Sequence, residues 1–236
     1  MIFHDYEEFY EKEYRKKQYT VESKKTKPDL RIINGDIIEG KRILVLGCGC
    51  GDDVAFLTRK NEVYGVDILS NAVDSACKKG IKAIKANIEE GLPYPSKHFD
   101  IVICKHVLEH LFNPLYVANE IRRVLKRDGY AIISVPNHFW FPMRLRILFG
   151  KSIILPGHNS EEWNYFHLRF FTFKGFNNFL KKAKLKPIKF YWAQGPYACS
   201  LPFFLRRVLG RVISLRPSLL SPEFYCKVIL DECEDS

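Results

Sequence analysis

The 236-residue chain is 47 % hydrophobic with a formal net charge of +10, enough apolar content to bury a full core as a single domain with appendages. Its first eight residues include Asp5, Glu7 and Glu8 where a secretory leader needs a basic end and an apolar run, and the longest uncharged stretch, 191–205, is broken by Gly195, Pro196 and Pro202, so neither an export signal nor a transmembrane segment is expected. Seven cysteines, odd in number and without framework spacing, point to reduced thiols and a cytoplasmic location, and Cys48-Gly49-Cys50 alone is a poor zinc signal.

A helix is expected around residues 4–18, within an N-terminal cap of residues 1–30. A β/α alternation then runs over 41–136. Residues 42–46 are an apolar run that stops at Gly47-Cys48-Gly49-Cys50-Gly51, the pattern of a buried strand and a tight turn. Asp52 and Asp53 stand where a helix would start, with Val54 to Leu57 as its first turns. A second strand follows over 62–68. Ser70 is placed to cap a helix through Lys79 that Gly80 ends, and 81–87 alternates as a third strand. Residues 99–104 read as a fourth, buried strand.

Asn113-Pro114 supplies a capping side chain with proline at the first helical position, which predicts a helix to about Arg127. Leu115, Ala118, Ile121, Val124 and Leu125 form its apolar stripe, with Arg122, Arg123, Lys126 and Arg127 turned outward. Residues 130–135 make a fifth strand. Such alternation implies a parallel sheet covered on both faces. Residues 137–172, rich in Phe, Trp, His and Arg, have the length of a lid or binding segment. A helix from Thr172 and strands over 186–193 and 224–230 complete the last part of the chain, 173–236. Between them, Phe204, Val208, Val212 and Leu215 form a stripe expected to pack on the sheet, opposite Arg206, Arg207 and Arg211.

Gly47, Gly49 and Gly51 follow a strand, so their backbone amides can approach a bound ligand closely. Asp67, ending the second strand, can accept hydrogen bonds from both hydroxyls of a ribose. These two features suit S-adenosylmethionine and a nicotinamide or flavin dinucleotide alike. His106-Val107-Leu108-Glu109-His110 also spells the HxxEH of an inverted zinc peptidase. An apolar strand runs directly into it, Asn113-Pro114 restarts the chain, and no downstream carboxylate ligand is evident, so no metal is expected.

Ala86-Asn87-Ile88, the run from Phe99 to Pro114, the run from Ile121 to Tyr130, and Ser134-Val135-Pro136-Asn137 decide between the cofactors. With the glycines and Asp67 they make the stretch from Arg42 to Asn137 resemble the type 11 group of class I S-adenosylmethionine-dependent methyltransferases, and His167 to Thr172 looks like that family's usual lead-in to its last helix. The resemblance implies a doubly wound α/β fold, a mostly parallel seven-stranded sheet with helices on both faces and the last strand antiparallel. It also implies S-adenosylmethionine as cofactor, S-adenosylhomocysteine as product, and an acceptor held by the segment after 137 and the N-terminal helix. By position, Gly47, Gly49 and Gly51 would contact the methionine moiety, Asp67 with Ile68 the ribose side, Asn87 and Ile88 the adenine, and Lys105 and His106 the methionine side from the fourth strand. Asn stands at 87 where the family more often has Asp, and its carbonyl still accepts.

A sulfonium methyl is already activated, so catalysis consists of alignment and exclusion of water. An oxygen or nitrogen acceptor also calls for a base, for which His106, His110, His158 and His167 are candidates. Residues 137–216 carry fourteen Lys and Arg against two Glu, a basic half that suits an anionic acceptor through Arg144, Arg146, His158, His167 and Arg169, and that would also allow peripheral membrane or nucleic-acid contact. The expected acceptor is a small molecule or a glycan- or lipid-linked group methylated on O or N. RNA-directed transfer and a non-catalytic cofactor-binding scaffold are the alternatives.

Overall fold

The computed structural model describes residues 38–152, 167–192 and 211–231; the expected N-terminal helix, His158, Phe204 and Val208 lie outside them. Seven strands, β1 Arg42–Leu46, β2 Glu62–Asp67, β3 Lys82–Lys85, β4 Phe99–Lys105, β5 Leu125–Pro136, β6 Leu185–Trp192 and β7 Glu223–Leu230, form one sheet in the order β3-β2-β1-β4-β5-β7-β6. The first five pair in parallel, while β7 runs antiparallel to both β5 and β6. The chain moves outward from β1 to β3 and then returns to β4 on the other side of β1, which leaves a crevice at the carboxyl ends of β1 and β4.

Alternation along β1 divides the core. Leu44 and Leu46 face a cluster with Val102, Cys104 and Phe224 that also takes in Val117, Ile121 and Val124 of α2 (Pro114–Val124) and Phe176 and Leu180 of α4 (Phe173–Lys182). Ile43 and Val45 face the opposite cluster, with Leu57, Ile81 and Ala76 of α1 (Ser70–Cys77). Burial on both faces explains why these strands read as continuous apolar runs. Pro187 sits at a register shift in β6, which as the last strand of the sheet has an unpaired edge where a residue without an N–H is tolerated.

Several elements differ from expectation. The residues after the glycines form a five-residue 3₁₀ turn, Ala55–Arg59, instead of an α-helix; Asn61 Nδ2 donates to Leu57 O at 3.0 Å and ends it before a full helix can develop. Ser70 opens α1 without capping it, the cap position being Leu69. Asn113 does cap α2, its Oδ1 accepting from Tyr116 N at 3.1 Å. That helix stops at Val124 because Leu125 already pairs with Phe99 in the sheet, and residues 126–129 bulge before Tyr130 resumes the register opposite Ile101. Gly129 sits in this bulge, where a Cβ would lie 2.9 Å from Asp100 O. A helix, α3 (Phe141–Leu148), interrupts the expected lid, and a short α5 (Pro217–Leu220) precedes β7. In the helical residues 211–215, Ile213 is buried, whereas Val212 and Leu215 are 44 % and 77 % exposed. The inward face is therefore rotated by one residue, about 100°, from the predicted stripe. Among the described residues no helix is long and apolar enough to cross a membrane.

Candidate active site

The carboxyl ends of β1, β2 and β4 surround an open cavity. Gly47 and Gly49 form its base, Asp67 and Ile68 one wall, Asn87 and Ile88 the next, and His106 and His110 the far side. Gly47 and Gly49 both have positive φ, +61° and +51°, the left-handed region that glycine enters without penalty. A Cβ at Gly47 would meet Val107 Cγ2 at 2.6 Å, whereas at Gly49 it would meet nothing within 4 Å. The first glycine lets β1 pass under the chain after β4; the second leaves bare backbone at the cavity.

Gly51 and Lys105 do not reach this space. They line an adjoining cavity of about 690 Å³ that shares Gly47 and Gly49 with the first, and Lys105 Nζ donates to Asp53 Oδ2 at 2.8 Å. At Gly51 a Cβ would strike Ile81 Cδ1 at 2.4 Å, so this glycine also serves the packing of the loop.

Asp67 is held by backbone amides on both oxygens: Oδ2 accepts from Gly49 N at 2.7 Å and Oδ1 from Leu69 N at 3.0 Å. Burial raises its pKa against the opposing effect of those hydrogen bonds. A carboxylate has about four acceptor positions, more than these amides fill. Asn87 Oδ1 accepts from Glu89 N at 3.0 Å and its Nδ2 donates to Glu90 Oε1 at 3.1 Å, which caps the short 3₁₀ turn Ile88–Glu90. Glu89 then accepts the N–H groups of Phe112 and Asn113 at 3.2 and 2.6 Å, joining this wall to the start of α2.

His106 is strained, with φ +52° directly after β4, a sparsely populated state for a residue bearing a side chain. Its Nδ1 lies 3.3 Å from Glu109 Oε1 and its Nε2 3.2 Å from Glu223 Oε2. Burial works to lower its pKa, but the two carboxylates outweigh it and raise the value to about 9. Burial raises the Glu223 pKa, yet the hydrogen bond and charge of His106 bring it down to about 2, with Tyr225 Oη donating at 2.7 Å. Beyond His106, the rings of His110 and His167 meet edge to face at 4.7 Å, and His167 Nδ1 lies 2.7 Å from His138 Nε2. Burial lowers the pKa of His138 to about 4.

Of the candidate catalytic residues, the structure thus brings His106 and His110 to the cavity and sets His167 against the ring of His110. It does not bring Arg144 or Arg169 to either cavity. Arg144 Nε donates to Phe139 O at 2.5 Å, and Arg169 Nη2 to Phe112 O at 2.6 Å, so both guanidinium groups tie the segment after β5 to backbone. His138 and Glu223 escape sequence reasoning, and Glu109 enters it only within the HxxEH pattern. Glu223 arrives only because β7 pairs with the end of β5, where Pro136 faces it.

The family model that describes a methyltransferase domain matches residues 44–133, the stretch that carries the glycine loop, Asp67, Asn87 and His106. An uncharacterised protein of Methanocaldococcus jannaschii is 43 % identical over 98 residues, 41 % of this chain and 42 % of that protein. An uncharacterised methyltransferase of Bacillus subtilis is 33 % identical over 99 residues, 39 % of each. The chain spans less than two thirds of the length of these relatives. Among solved structures, an S-adenosylmethionine-dependent methyltransferase of Methanosarcina mazei superposes with a TM-score of 0.62 at 19 % identity, covering 85 % of this chain and 98 % of that one. Residues 44–133, which run from β1 into β5 with the loops at the strand ends, thus match the methyltransferase domain of the type 11 family, and the fold is that of class I S-adenosylmethionine-dependent methyltransferases.

Proposed function

We propose that the chain transfers the methyl group of S-adenosylmethionine to an oxygen or nitrogen of an acceptor that meets the cofactor beside His106 and His110. The observation that carries this reading is Asp67: its carboxylate is fixed by Gly49 and Leu69 and faces the same cavity as Asn87 and Ile88. In this reading Asp67 accepts from the ribose hydroxyls, Asn87 and Ile88 border the adenine, and the bare backbone at Gly47 and Gly49 admits the methionine moiety. The cofactor supplies an activated methyl; the protein aligns the acceptor with it and keeps water out. Both ring nitrogens of His106 are engaged by Glu109 and Glu223, so His106 positions neighbouring groups, and the acceptor is met on the side of His110 and His167.

The acceptor read here is lipid-linked or otherwise amphiphilic. Phe141, Leu148 and Phe149 are 47 %, 75 % and 72 % exposed on and just after α3, with Lys151 beside them, a combination suited to an anionic lipid surface. Sedimentation with phosphatidylglycerol vesicles tests it: co-sedimentation that Leu148→Asp removes supports it, and failure to sediment defeats it.

Calorimetric titration with S-adenosylmethionine and, separately, with NADH tests the cofactor. Micromolar binding of the former that Asp67→Ala removes is the expected result. Binding of NADH, or of neither, would overturn the reading.

A further inference from the structure

Glu109 is fully buried, yet among the described residues neither of its carboxylate oxygens receives a well-aligned hydrogen bond. A buried carboxylate left that way carries a large desolvation cost unless a positive charge lies beside it. Oε1 lies 3.3 Å from Nδ1 of His106, the imidazole paired with both carboxylates above, and 3.9 Å from His110 Nε2, while Oε2 has neither as a partner. Glu109, His110 and His167 each offer one ligand atom, and these atoms all lie within 4.8 Å of one another. Two ligands about 2.1 Å from one ion are at most about 4.2 Å apart, so a small rotation of these side chains closes a coordination shell.

The fold builds this convergence. Glu109 and His110 sit on the 3₁₀ turn Leu108–His110 that follows β4. The backbone N–H groups of Leu168 and Arg169 both donate to Glu109 O, at 2.8 and 3.0 Å, so the segment carrying His167 is pinned to the residue whose side chain it faces. His167 Nδ1, 2.7 Å from His138 Nε2, has a ring partner of the kind that orients a ligating imidazole.

We propose that Glu109, His110 and His167 hold one divalent first-row transition-metal ion beside the cofactor cavity, with its open positions directed to an acceptor oxygen. One carboxylate with two imidazoles suits manganese, iron, cobalt or zinc in the divalent state better than magnesium or calcium, and three protein ligands leave room for a substrate atom. His110 also lines the cofactor cavity, so the ion lies next to the cofactor space. Coordination lowers the pKa of an acceptor hydroxyl. Its proton passes to water, the oxygen–methyl bond forms, and the carbon–sulfur bond breaks with its electron pair leaving on the neutral thioether. This use of the ion rests on the methyl-transfer reading; binding of the ion does not. The assignment replaces the expectation of no metal: the third ligand lies 57 residues beyond His110, a spacing that no short motif reveals.

The test is calorimetric titration of the chelator-treated full chain with Mn²⁺ and with Co²⁺, reading the visible absorption of Co²⁺ as a signature of its ligands. S-adenosylhomocysteine titration and thermal melting serve as separate controls. One ion per chain is expected, with affinity reduced about 10-fold or more by His167→Ala and by Glu109→Gln, and less by His138→Ala. His167→Ala, the substitution least buried at its site, should keep the melting transition and cofactor affinity while the Co²⁺ spectrum changes. Binding of neither ion at millimolar concentration by protein that still binds S-adenosylhomocysteine would overturn the metal site and leave the transferase reading standing. An unchanged affinity and Co²⁺ spectrum in His167→Ala would overturn it as well. Metal binding without cofactor binding would support the site and defeat the transferase reading.

Discussion

Gly49 N donates to Asp67 Oδ2 at 2.7 Å, a bond that ties the loop after β1 to the end of β2 and fixes the carboxylate at the mouth of the crevice between them. Burial raises the Asp67 pKa despite that bond, which has a definite sign in both stability and binding. The folded protein holds the Asp67 proton more tightly than the unfolded chain, so the stability linked to it is fully present below the ordinary carboxylate value and is lost as pH rises through the raised one. Cofactor binding runs the other way if the ionised form accepts the ribose hydroxyls. S-adenosylhomocysteine affinity should fall on acidification with a midpoint above the ordinary Asp value. Asp67→Asn should lower affinity about 10- to 100-fold at neutral pH, lose this acid limb, and melt no lower than the parent. Titration calorimetry across pH checks all three, and a parent whose affinity is flat through the acid range would contradict the assignment.

Gly47 offers a test of the loop that leaves the carboxylate alone. An alanine there meets two penalties, the positive φ of +61° and a Cβ 2.6 Å from Val107 Cγ2. The first costs about 1–2 kcal/mol and the second, as an overpacked contact, about 1–3 kcal/mol. Gly47→Ala should therefore lower the unfolding free energy by both together, and adding Val107→Ala should relieve the contact but not the strain. Denaturant unfolding of the three variants separates the contributions. If Gly47→Ala unfolds like the parent, the close approach of β1 to the chain after β4 is wrong.

How far the sequence was legible follows the range of the interactions involved. The strand and glycine turn at 42–51, the cap Asn113 with Pro114, and the cap Thr172, whose Oγ1 accepts from Gly175 N at 3.0 Å, are settled within a few residues and can be read locally. The end of α2 cannot: propensity carries the helix to Arg127, but pairing of Leu125 with Phe99 ends it at Val124. The approach of Glu223 to His106 spans 117 residues and depends on the register of β7 against β5. The tie of Leu168 and Arg169 to Glu109 O likewise brings His167 to His110 through backbone atoms, on which side-chain identity gives no hint. Arg144 and Arg169 look free for an anion in the sequence because a guanidinium's use for a backbone carbonyl leaves no pattern.

Arg123 shows the same gap on α2, where its stripe position points outward but its long stem bends back. Its guanidinium donates to Leu92 O and Tyr94 O at 2.9 and 2.8 Å and to Glu120 at 2.7 and 2.8 Å, while Glu120 Oε2 accepts from Leu92 N at 2.8 Å. This pair braces the loop that follows the Asn87–Glu89 wall of the cavity. Arg123→Ala should cost about 1–3 kcal/mol of stability through the carbonyls it leaves and weaken cofactor binding only modestly. The Arg123 hydrogen bond lowers the Glu120 pKa, so that part of the stability is present above the ordinary Glu value and is lost as pH falls through the depressed one. Acid unfolding of Arg123→Ala should accordingly depend less on pH than that of the parent; equal slopes would show that the pair contributes nothing beyond its geometry.

Asn137, only 2 % exposed, joins the end of β5 to the start of β7. Its N–H donates to Pro222 O at 2.7 Å, its Nδ2 donates to Ser218 O and Ser221 O at 3.1 and 2.7 Å, and its Oδ1 accepts from Phe139 N at 3.0 Å. The backbone bond survives any substitution except proline, so a side-chain change isolates the other three. Asn137→Ala should lower the unfolding free energy by about 2–4 kcal/mol, since it removes three hydrogen bonds, the one to Ser221 O fully buried. Asn137→Asp keeps the acceptor for Phe139 but has no donor for Ser218 and Ser221, and as an ion would set negative charge against two carbonyls, so it should rescue nothing. Because Pro222 precedes Glu223, the loosened joint should also show as faster amide exchange at the start of β7, ahead of global unfolding. Equal exchange rates there in parent and Asn137→Ala would mean that β7 is held by its pairing with β5 alone.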